Sequence, residues 1–189
     1  MRRIDQLALI ATFLGFSWLA MQIVHEFGHV LGAWVSGGDV ARVVLHPLVI
    51  SRTDLGRNPH PLFVTWAGPV VGAALLVLVL LAARVCRAPG LYLCRFFAGF
   101  CLIANGIYIG VGGFVRAGDA GDLLRHGSPH WQLVLFGLIT VPLGLYLWHG
   151  LGPSFGLGEG NGKVSRPAAI FSAALFLAVV AAELLIAYR

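Results

Sequence analysis

The stretch QLALIATFLGFSWLAMQIVHEFGHVLGAWV, from Gln6 to Val35, decides the fold because it is apolar along nearly its whole length. A helix crosses the hydrocarbon core of a bilayer with about 20 apolar residues, so this stretch predicts a membrane-spanning helix. Its second half carries HEFGH, from His25 to His29, the one strongly polar cluster that falls inside an apolar stretch. The sequence SGGDV, from Ser36 to Val40, ends the helix through paired glycines.

The rest of the chain has the composition of a membrane protein. Of its 189 residues, 58% are hydrophobic and 11% are charged, whereas a soluble domain carries about 25% charged residues. We predict an all-α membrane protein, a polytopic bundle of about five transmembrane helices. We expect it to form a single integral membrane domain, residues 1–189, in a bacterial-type cell membrane. The predicted spans cover residues 6–35, 62–85, 91–114, 131–148 and 168–188.

The distribution of charge separates two classes of partner. The net charge is +5 at pH 7, but the basic residues are scattered at the predicted ends of spans and do not cluster in a patch. That placement suits anchoring to anionic lipid headgroups and does not suit a nucleic-acid interface. We therefore expect the lipid bilayer as a partner and expect no nucleic acid.

Two short elements are expected between the spans. The segment ARVVLHPLVISRT, from Ala41 to Thr53, is rich in valine, isoleucine and leucine and has Pro47 in its middle. Proline cannot donate to a strand ladder, so it limits the segment to an edge strand or to a bend between two short strands near the membrane surface. The polar connection after the third span, from Arg116 to His130, is expected to contain a short helix.

The HEFGH cluster has the spacing of a zinc-binding helix. Residues i and i+4 lie on the same face of a helix, so His25 and His29 can present two imidazoles to one metal ion. Glu26 lies close enough to act as general base on a zinc-bound water, whose pKa falls toward about 7. An ionisable residue inside a span costs about 2.5–3.5 kcal/mol on insertion scales, which makes such a cluster a functional hypothesis. The alternative is a polar cluster that only hydrogen-bonds neighbouring helices.

A catalytic zinc site needs a third protein ligand from elsewhere in the chain. If the spans alternate in direction, HEFGH and the end of the third span lie toward the same membrane face. Asp119 and Asp122 follow the third span and reach that face, whereas Asp5 and Glu159 lie on the opposite one. Glu183 also tends toward the HEFGH face, where we expect an interfacial or packing role. The residues alone leave Asp119 and Asp122 open as the third ligand.

Four features in a fixed order carry a resemblance to a known family. They are HEFGH in an early span, the Gly-Gly and short strands after it, WAGP at Trp66–Pro69 opening the next span, and GDAGDLL, at Gly118–Leu124, after the third. In this combination the chain resembles the site-2-protease-type intramembrane zinc metalloproteases over Phe16–Leu124. The family's third ligand is the Asp of an LDGG-type motif. When Asp119 is aligned with this Asp, Leu123 and Leu124 align with the apolar residues that follow the family motif. The alignment therefore favours Asp119 over Asp122.

The resemblance implies an enzyme, a cofactor and a substrate class. It implies that His25, His29 and Asp119 bind Zn²⁺ and that Glu26 is the catalytic base of a protease that hydrolyses membrane-protein substrates. The family usually places an Asn and a Pro shortly before the ligand Asp. Here Asn105 lies fourteen residues before Asp119, with no Pro between them. We therefore expect Asn105 to make interhelical hydrogen bonds and not to hold substrate.

Two further functions remain as alternatives. One is a non-proteolytic, metal-binding membrane scaffold that uses the same ligands. The other, a small transporter, is weaker because the chain shows neither internal repeats nor paired broken helices. For a protease, we expect the segment Val43–Ser51 to offer a strand edge that holds the substrate extended by β-augmentation. The alternative for this segment is a surface hairpin that only covers the site.

Overall fold

A computed structural model describes residues 2–187 of the chain. The described part consists of six α-helices and a two-stranded sheet. In chain order these elements are α1 (Arg2–Val35), β1 (Val40–His46), β2 (Val49–Leu55), α2 (Pro61–Val85), α3 (Leu91–Val115), α4 (Gly118–Arg125), α5 (His130–Trp148) and α6 (Arg166–Ala187). Two short 3-10 turns, Gly152–Phe155 and Gly158–Gly160, lie in the loop between α5 and α6.

The fold class predicted from the sequence is confirmed. Five helices, α1, α2, α3, α5 and α6, are long enough and apolar enough to cross a membrane, and the small sheet follows the first of them. The largest difference from the predicted spans is at the start of α1, which begins at Arg2 and not at Gln6. The predicted end of the fifth span, Tyr188, lies outside the described residues. The single domain and the bacterial-type membrane stay predictions.

The β element is a hairpin with Pro47 in its turn. β1 and β2 pair antiparallel, with Val43 opposite Thr53 and His46 opposite Val49. Pro47 lies between the strands, where its missing N–H interrupts no ladder. β1 packs on α6 and β2 packs on α1, so the hairpin lies against the helix that carries HEFGH.

Glycines let α1, α2 and α3 approach closely around HEFGH. A Cβ on Gly28 would lie 2.5 Å from a backbone carbonyl oxygen of α2, and a Cβ on Gly68, in the WAGP motif, would overlap the imidazole of His29. One turn further along α2, a Cβ on Gly72 would lie 2.9 Å from the amide of Asn105. Small residues at such crossings allow the van der Waals contacts and hydrogen bonds that drive helix association in lipid. These glycines therefore allow α1 and α2 to lie close together beside His29 and allow the Asn105 side chain of α3 to lie against α2.

The first half of α1 packs into an apolar group of side chains. The ring of Phe13 lies 5.6 Å from that of Phe96 and 6.4 Å from that of Phe155. We call this group the aromatic cluster, and its members are Leu9, Phe13, Phe16, Leu93, Phe96, Trp148 and Phe155. The aromatic cluster joins α1 to α3, to the end of α5 and to the first 3-10 turn.

Candidate metal centre

The second half of α1 places His25 and His29 one helical turn apart on a buried face. Their Nε2 atoms are 3.1 Å apart, and the two residues are 7% and 8% exposed. The i, i+4 spacing of HEFGH produces this convergence, as the sequence predicts.

The short helix α4 brings the carboxylate of Asp119 to the same point. Its Oδ2 lies 2.7 Å from Nε2 of His25 and 3.1 Å from Nε2 of His29. The chain enters α4 at Gly118, whose φ of 52° lies in the left-handed region that favours glycine. The hydroxyl oxygen of Tyr108 accepts a hydrogen bond from the backbone N–H of Asp119 at 3.0 Å. This bond helps to hold the start of α4 against α3.

Asp122, the alternative third ligand, faces another partner. Its Oδ1 lies 2.7 Å from Nη1 of Arg125, in an ion pair between residues three apart on α4. The structure therefore brings Asp119, and not Asp122, into the group of side chains that can hold a metal ion.

Hydrogen bonds on the far side of each imidazole set its orientation. Nδ1 of His25 lies 2.7 Å from Oδ1 of Asn105, and Nδ1 of His29 lies 2.9 Å from the carbonyl oxygen of Val64. Nδ2 of Asn105 donates to the carbonyl oxygen of Cys101 at 2.9 Å, which assigns the orientation of the amide. Both Nδ1 atoms thus face acceptors. In the neutral rings Nδ1 carries the proton and Nε2 carries the lone pair.

The three converging atoms suit a metal ion. Two imidazole lone pairs and one carboxylate oxygen lie 2.7–3.1 Å from one another, and with neutral rings none of them has a proton to donate. Zinc–ligand bonds of about 2.0–2.1 Å place tetrahedral ligands about 3.3 Å apart, close to this spacing. Two nitrogens and one oxygen form a donor set that catalytic zinc sites use, with the fourth position left for water or substrate.

The carboxyl of Asp119 is held in its ionised form. Burial acts to raise its pKa. When the two rings are protonated, the hydrogen bonds that Nε2 of His25 and of His29 then donate, together with the charge of the rings, outweigh burial and hold the pKa of this carboxyl well below its usual range. Because a carboxylate must be ionised to bind a metal, protons compete only weakly at this ligand.

Glu26 lies beside the three donors and is not one of them. It is 4% exposed and lines the same cavity as the two histidines and Asp119. Its Oε1 accepts a hydrogen bond from Oγ of Ser51, and its Oε2 accepts one from Oγ1 of Thr53, each at 2.7 Å. The candidate base is therefore bonded to the hairpin through both of its oxygens.

Two cavities of different character meet at the metal centre. The first, of about 810 Å³, extends along β2 and α4 and has polar and charged residues such as Thr53 and Asp122 in its lining. The second, of about 360 Å³, lies between α1 and α3 and is lined mainly by apolar side chains such as Trp18 and Ile107. The residues that line both are His25, Glu26, Ile50, Ser51 and Tyr108. We call the first cavity the polar chamber and the second the apolar chamber, and the two adjoin at the candidate site.

Two polar side chains singled out in the sequence, Asn105 and Glu183, are buried in the structure. Asn105 makes the predicted interhelical hydrogen bond, which is confirmed, and its partner is His25, one of the candidate metal ligands. Glu183, for which an interfacial or packing role was expected, is 1% exposed, and within residues 2–187 its Oε2 has no hydrogen-bond partner. Its carboxyl therefore faces the protein interior.

Three residues at the site were missed by the sequence interpretation. Ser51 and Thr53 could have been found, because two hydroxyl residues at i and i+2 of a strand point to the same side. Tyr108 carries no such signal, since its role depends on where α4 turns back against α3.

Comparison with known proteins adds no family assignment, because no family model, no curated protein and no solved structure matches the chain. The resemblance to the site-2-protease-type family therefore rests on the motifs of the sequence.

Proposed function

We propose that the chain is an intramembrane zinc metalloprotease of the site-2-protease type. The observation that carries the proposal is the convergence of three metal-ligating side chains from two helices, with Glu26 in the same cavity. In this proposal His25, His29 and Asp119 hold Zn²⁺, and Glu26 is the general base.

The chemistry follows from the roles of these side chains. A zinc ion held there would activate a water molecule and polarise the scissile carbonyl. Glu26 takes the proton of the water on a carboxylate oxygen and passes it to the leaving amine. Each oxygen of Glu26 accepts one hydroxyl hydrogen bond and keeps a second acceptor position for that proton. Asn105 and the carbonyl of Val64 hold the two imidazoles so that their lone pairs stay directed at the metal position.

The two chambers support a substrate that is itself embedded in the membrane. Hydrolysis consumes water, which the polar chamber can admit, and an apolar segment presents side chains that suit the apolar chamber. The hairpin also has an outer strand edge that can pair with an extended substrate backbone. We therefore propose membrane-protein segments as the substrate class and the lipid bilayer as the surrounding partner.

A non-proteolytic metal-binding membrane protein is the second candidate. The same three ligands would serve it. The observation that favours it is that both oxygens of Glu26 are bonded to the hairpin, because a glutamate that only ties a hairpin to a helix would be bonded in this way.

Metal analysis and a cleavage readout on paired variants separate the two candidates. The wild-type protein should bind one zinc ion at the group formed by His25, His29 and Asp119. His25→Ala should bind none, and Glu26→Gln should keep the metal because the base is not a ligand. Membranes that contain the wild-type protein should yield new peptide ends that are missing with Glu26→Gln. Zinc binding without Glu26-dependent ends would favour the scaffold, and loss of zinc from Glu26→Gln would overturn the division of roles.

A further inference from the structure

Two hydroxyl groups of the hairpin hold the carboxylate of Glu26. Ser51 donates to one of its oxygens and Thr53 donates to the other, each at 2.7 Å. A third bond joins the same strand to α1, because the backbone N–H of Ser51 donates to Oε1 of Gln22 at 3.0 Å. β2 is thus bonded to two successive turns of the helix that carries the metal ligands.

The alternation of β2 directs these hydroxyls toward α1. Ser51 and Thr53 are two residues apart, so their side chains point to the same side of the strand. Arg52 and Asp54 point to the other side, where they form an exposed ion pair with Nε and Oδ1 3.1 Å apart. The side of the strand that faces Glu26 therefore carries neutral donors, while the charged side chains lie on the opposite side.

These bonds orient the carboxylate and leave it able to accept a proton. A carboxylate has about four acceptor positions, and each hydroxyl takes one of them. Two donors at a fixed spacing along a strand define the direction of the carboxylate plane. Glu26 would otherwise rotate about its side-chain torsions, since neither of its oxygens is bonded to α2, α3 or α4 within the described residues.

We propose that Ser51 and Thr53 are positioning residues that set the geometry of Glu26 and couple it to the hairpin. The inference rests on the proposed role of Glu26 as general base. When the hairpin shifts, for example on pairing with an extended peptide, the carboxylate shifts with it. The geometry of the base therefore depends on the state of the hairpin.

A purely structural tie makes a different prediction. Buried polar groups in a membrane protein are paired inside the protein because lipid offers them no partner. If the bonds served only to satisfy Glu26, removing them would lower stability and leave the turnover of the folded protein unchanged. A positioning role requires that turnover falls while substrate affinity and zinc content are kept.

The kinetic test removes and restores the hydroxyls in proteoliposomes, with a fluorescence-quenched apolar peptide as substrate. Misplacing a catalytic group can cost about 100-fold, so kcat of the double variant Ser51→Ala/Thr53→Val should fall by about 10- to 100-fold. Its KM and its zinc content should stay unchanged. The conservative pair Ser51→Thr/Thr53→Ser keeps both donors and should restore kcat to within about threefold.

Thr140→Val is the matched control for loss of a threonine hydroxyl. Its Oγ1 donates to the carbonyl oxygen of Phe136 within α5 and, within residues 2–187, bonds to no residue of the metal centre or of the hairpin. This variant should keep the kcat, the KM and the zinc content of the wild-type protein.

Hydrogen exchange of the β2 amides tests the coupling without requiring activity. In the metal-free protein, Glu26→Ala and Ser51→Ala/Thr53→Val should each increase exchange over residues 49–55. Combining them should add no further increase, because both break the same bonds. Thr140→Val should leave exchange of this strand unchanged.

The two measurements also separate this inference from the proposed function. Additive effects on exchange, or no effect, overturn it, as does a double variant that retains the wild-type kcat. If exchange shows the coupling but the wild-type protein cleaves no peptide bond, the proposed function fails and the positioning role fails with it. The bonds between β2 and Glu26 would then be a structural tie.

Discussion

The two halves of α1 are built differently, although they belong to one apolar helix. The first half contributes Leu9 and Phe13 to the aromatic cluster, where many similar contacts share the packing. The second half contributes His25, Glu26 and His29, each of which depends on particular polar atoms of another element. Packing is thus distributed over many atoms in one half, whereas the candidate chemistry depends on a few atoms in the other.

The physical reason lies in what lipid offers to each kind of side chain. Apolar side chains gain little free energy from leaving lipid for protein, so the aromatic cluster contributes to stability through close van der Waals contacts. Each contact is weak, so a substitution there lowers stability gradually as contacts are lost. A polar group without a partner in the hydrocarbon region costs several kcal/mol, so each one needs a specific partner. Substitutions in the two halves should therefore differ most in their effect on zinc binding, and the predictions below run from the largest such effect to the smallest.

Asp119→Ala should have the largest effect, because it removes one of the three proposed ligands. We expect the zinc content of the purified protein to fall to background. This loss is larger than the fall of about 10- to 100-fold in metal affinity that follows when a residue hydrogen-bonded to a ligand is removed. Asp122→Ala is the matched control. It removes an exposed ion pair with Arg125, worth about 0–1 kcal/mol, and should keep the metal. If Asp122→Ala lost the zinc and Asp119→Ala kept it, the third ligand would be Asp122, one turn later on α4.

Gly68→Ala should weaken zinc binding although Gly68 carries no ligand atom. A Cβ at this position would overlap the imidazole of His29, so the ring must move away from the other donors. We expect a loss of about 100-fold in zinc affinity, measured by competition with a chelator. Gly152→Ala is the control near the aromatic cluster, because its Cβ would lie 3.7 Å from that of Leu157, an ordinary contact. Equal affinities in the two variants would show that the α1–α2 crossing does not support the site.

The same contrast separates what could be predicted from what could not. Hydrophobic runs and the HExxH spacing are local patterns, so the spans, the histidine pair and the bend at Pro47 follow from the sequence. The extension of α1 to Arg2 was missed, because a helix can continue into polar residues beyond its apolar run. The partners of each imidazole depend on how α2 and α3 rotate against α1, which no local pattern encodes.

The third ligand shows this limit most clearly. Topology alone left Asp119 and Asp122 open, and the resemblance favoured Asp119. In the structure the choice follows from the reversal between α3 and α4, where Arg116 and Gly118 have φ values of 53° and 52°. Those angles set which face of α4 meets the histidines. A non-glycine residue with positive φ, such as Arg116, is uncommon, so the sequence gives no warning of it.

Asn105→Ala should weaken zinc binding less than the changes above. It removes the acceptor of the His25 Nδ1–H bond and leaves the three ligands in place. Loss of such an outer partner typically costs about 10- to 100-fold in metal affinity. Asn105→Asp keeps an acceptor for the imidazole, and we expect its zinc affinity to stay within about tenfold of the wild-type value. If Asn105→Ala binds zinc as tightly as the wild-type protein, the orientation of His25 does not depend on this bond.

Phe13→Ala should have the smallest effect on zinc binding and a large effect on stability. Phe13 is 3% exposed, and its ring lies within 5.7 Å of the rings of Phe16 and Phe96. Replacing a buried phenylalanine by alanine costs about 3–5 kcal/mol in soluble proteins, where part of the cost is transfer from water. In lipid the lost packing remains, so we expect a measurable cost below that range when the protein is unfolded in mixed micelles. Phe13→Leu, which keeps most of the volume, should cost less than about 1.5 kcal/mol.

Zinc binding should survive this loss of stability because of the separation along the helix. His25 lies twelve residues after Phe13, and at about 1.5 Å per residue the two Cα atoms are about 18 Å apart. Effects of substitutions usually become independent beyond about 7–10 Å. The folded fraction of Phe13→Ala should therefore bind one zinc ion per chain with the wild-type affinity. If affinity fell together with stability, the two halves of α1 would form one cooperative unit, and the aromatic cluster would belong to the support of the metal centre.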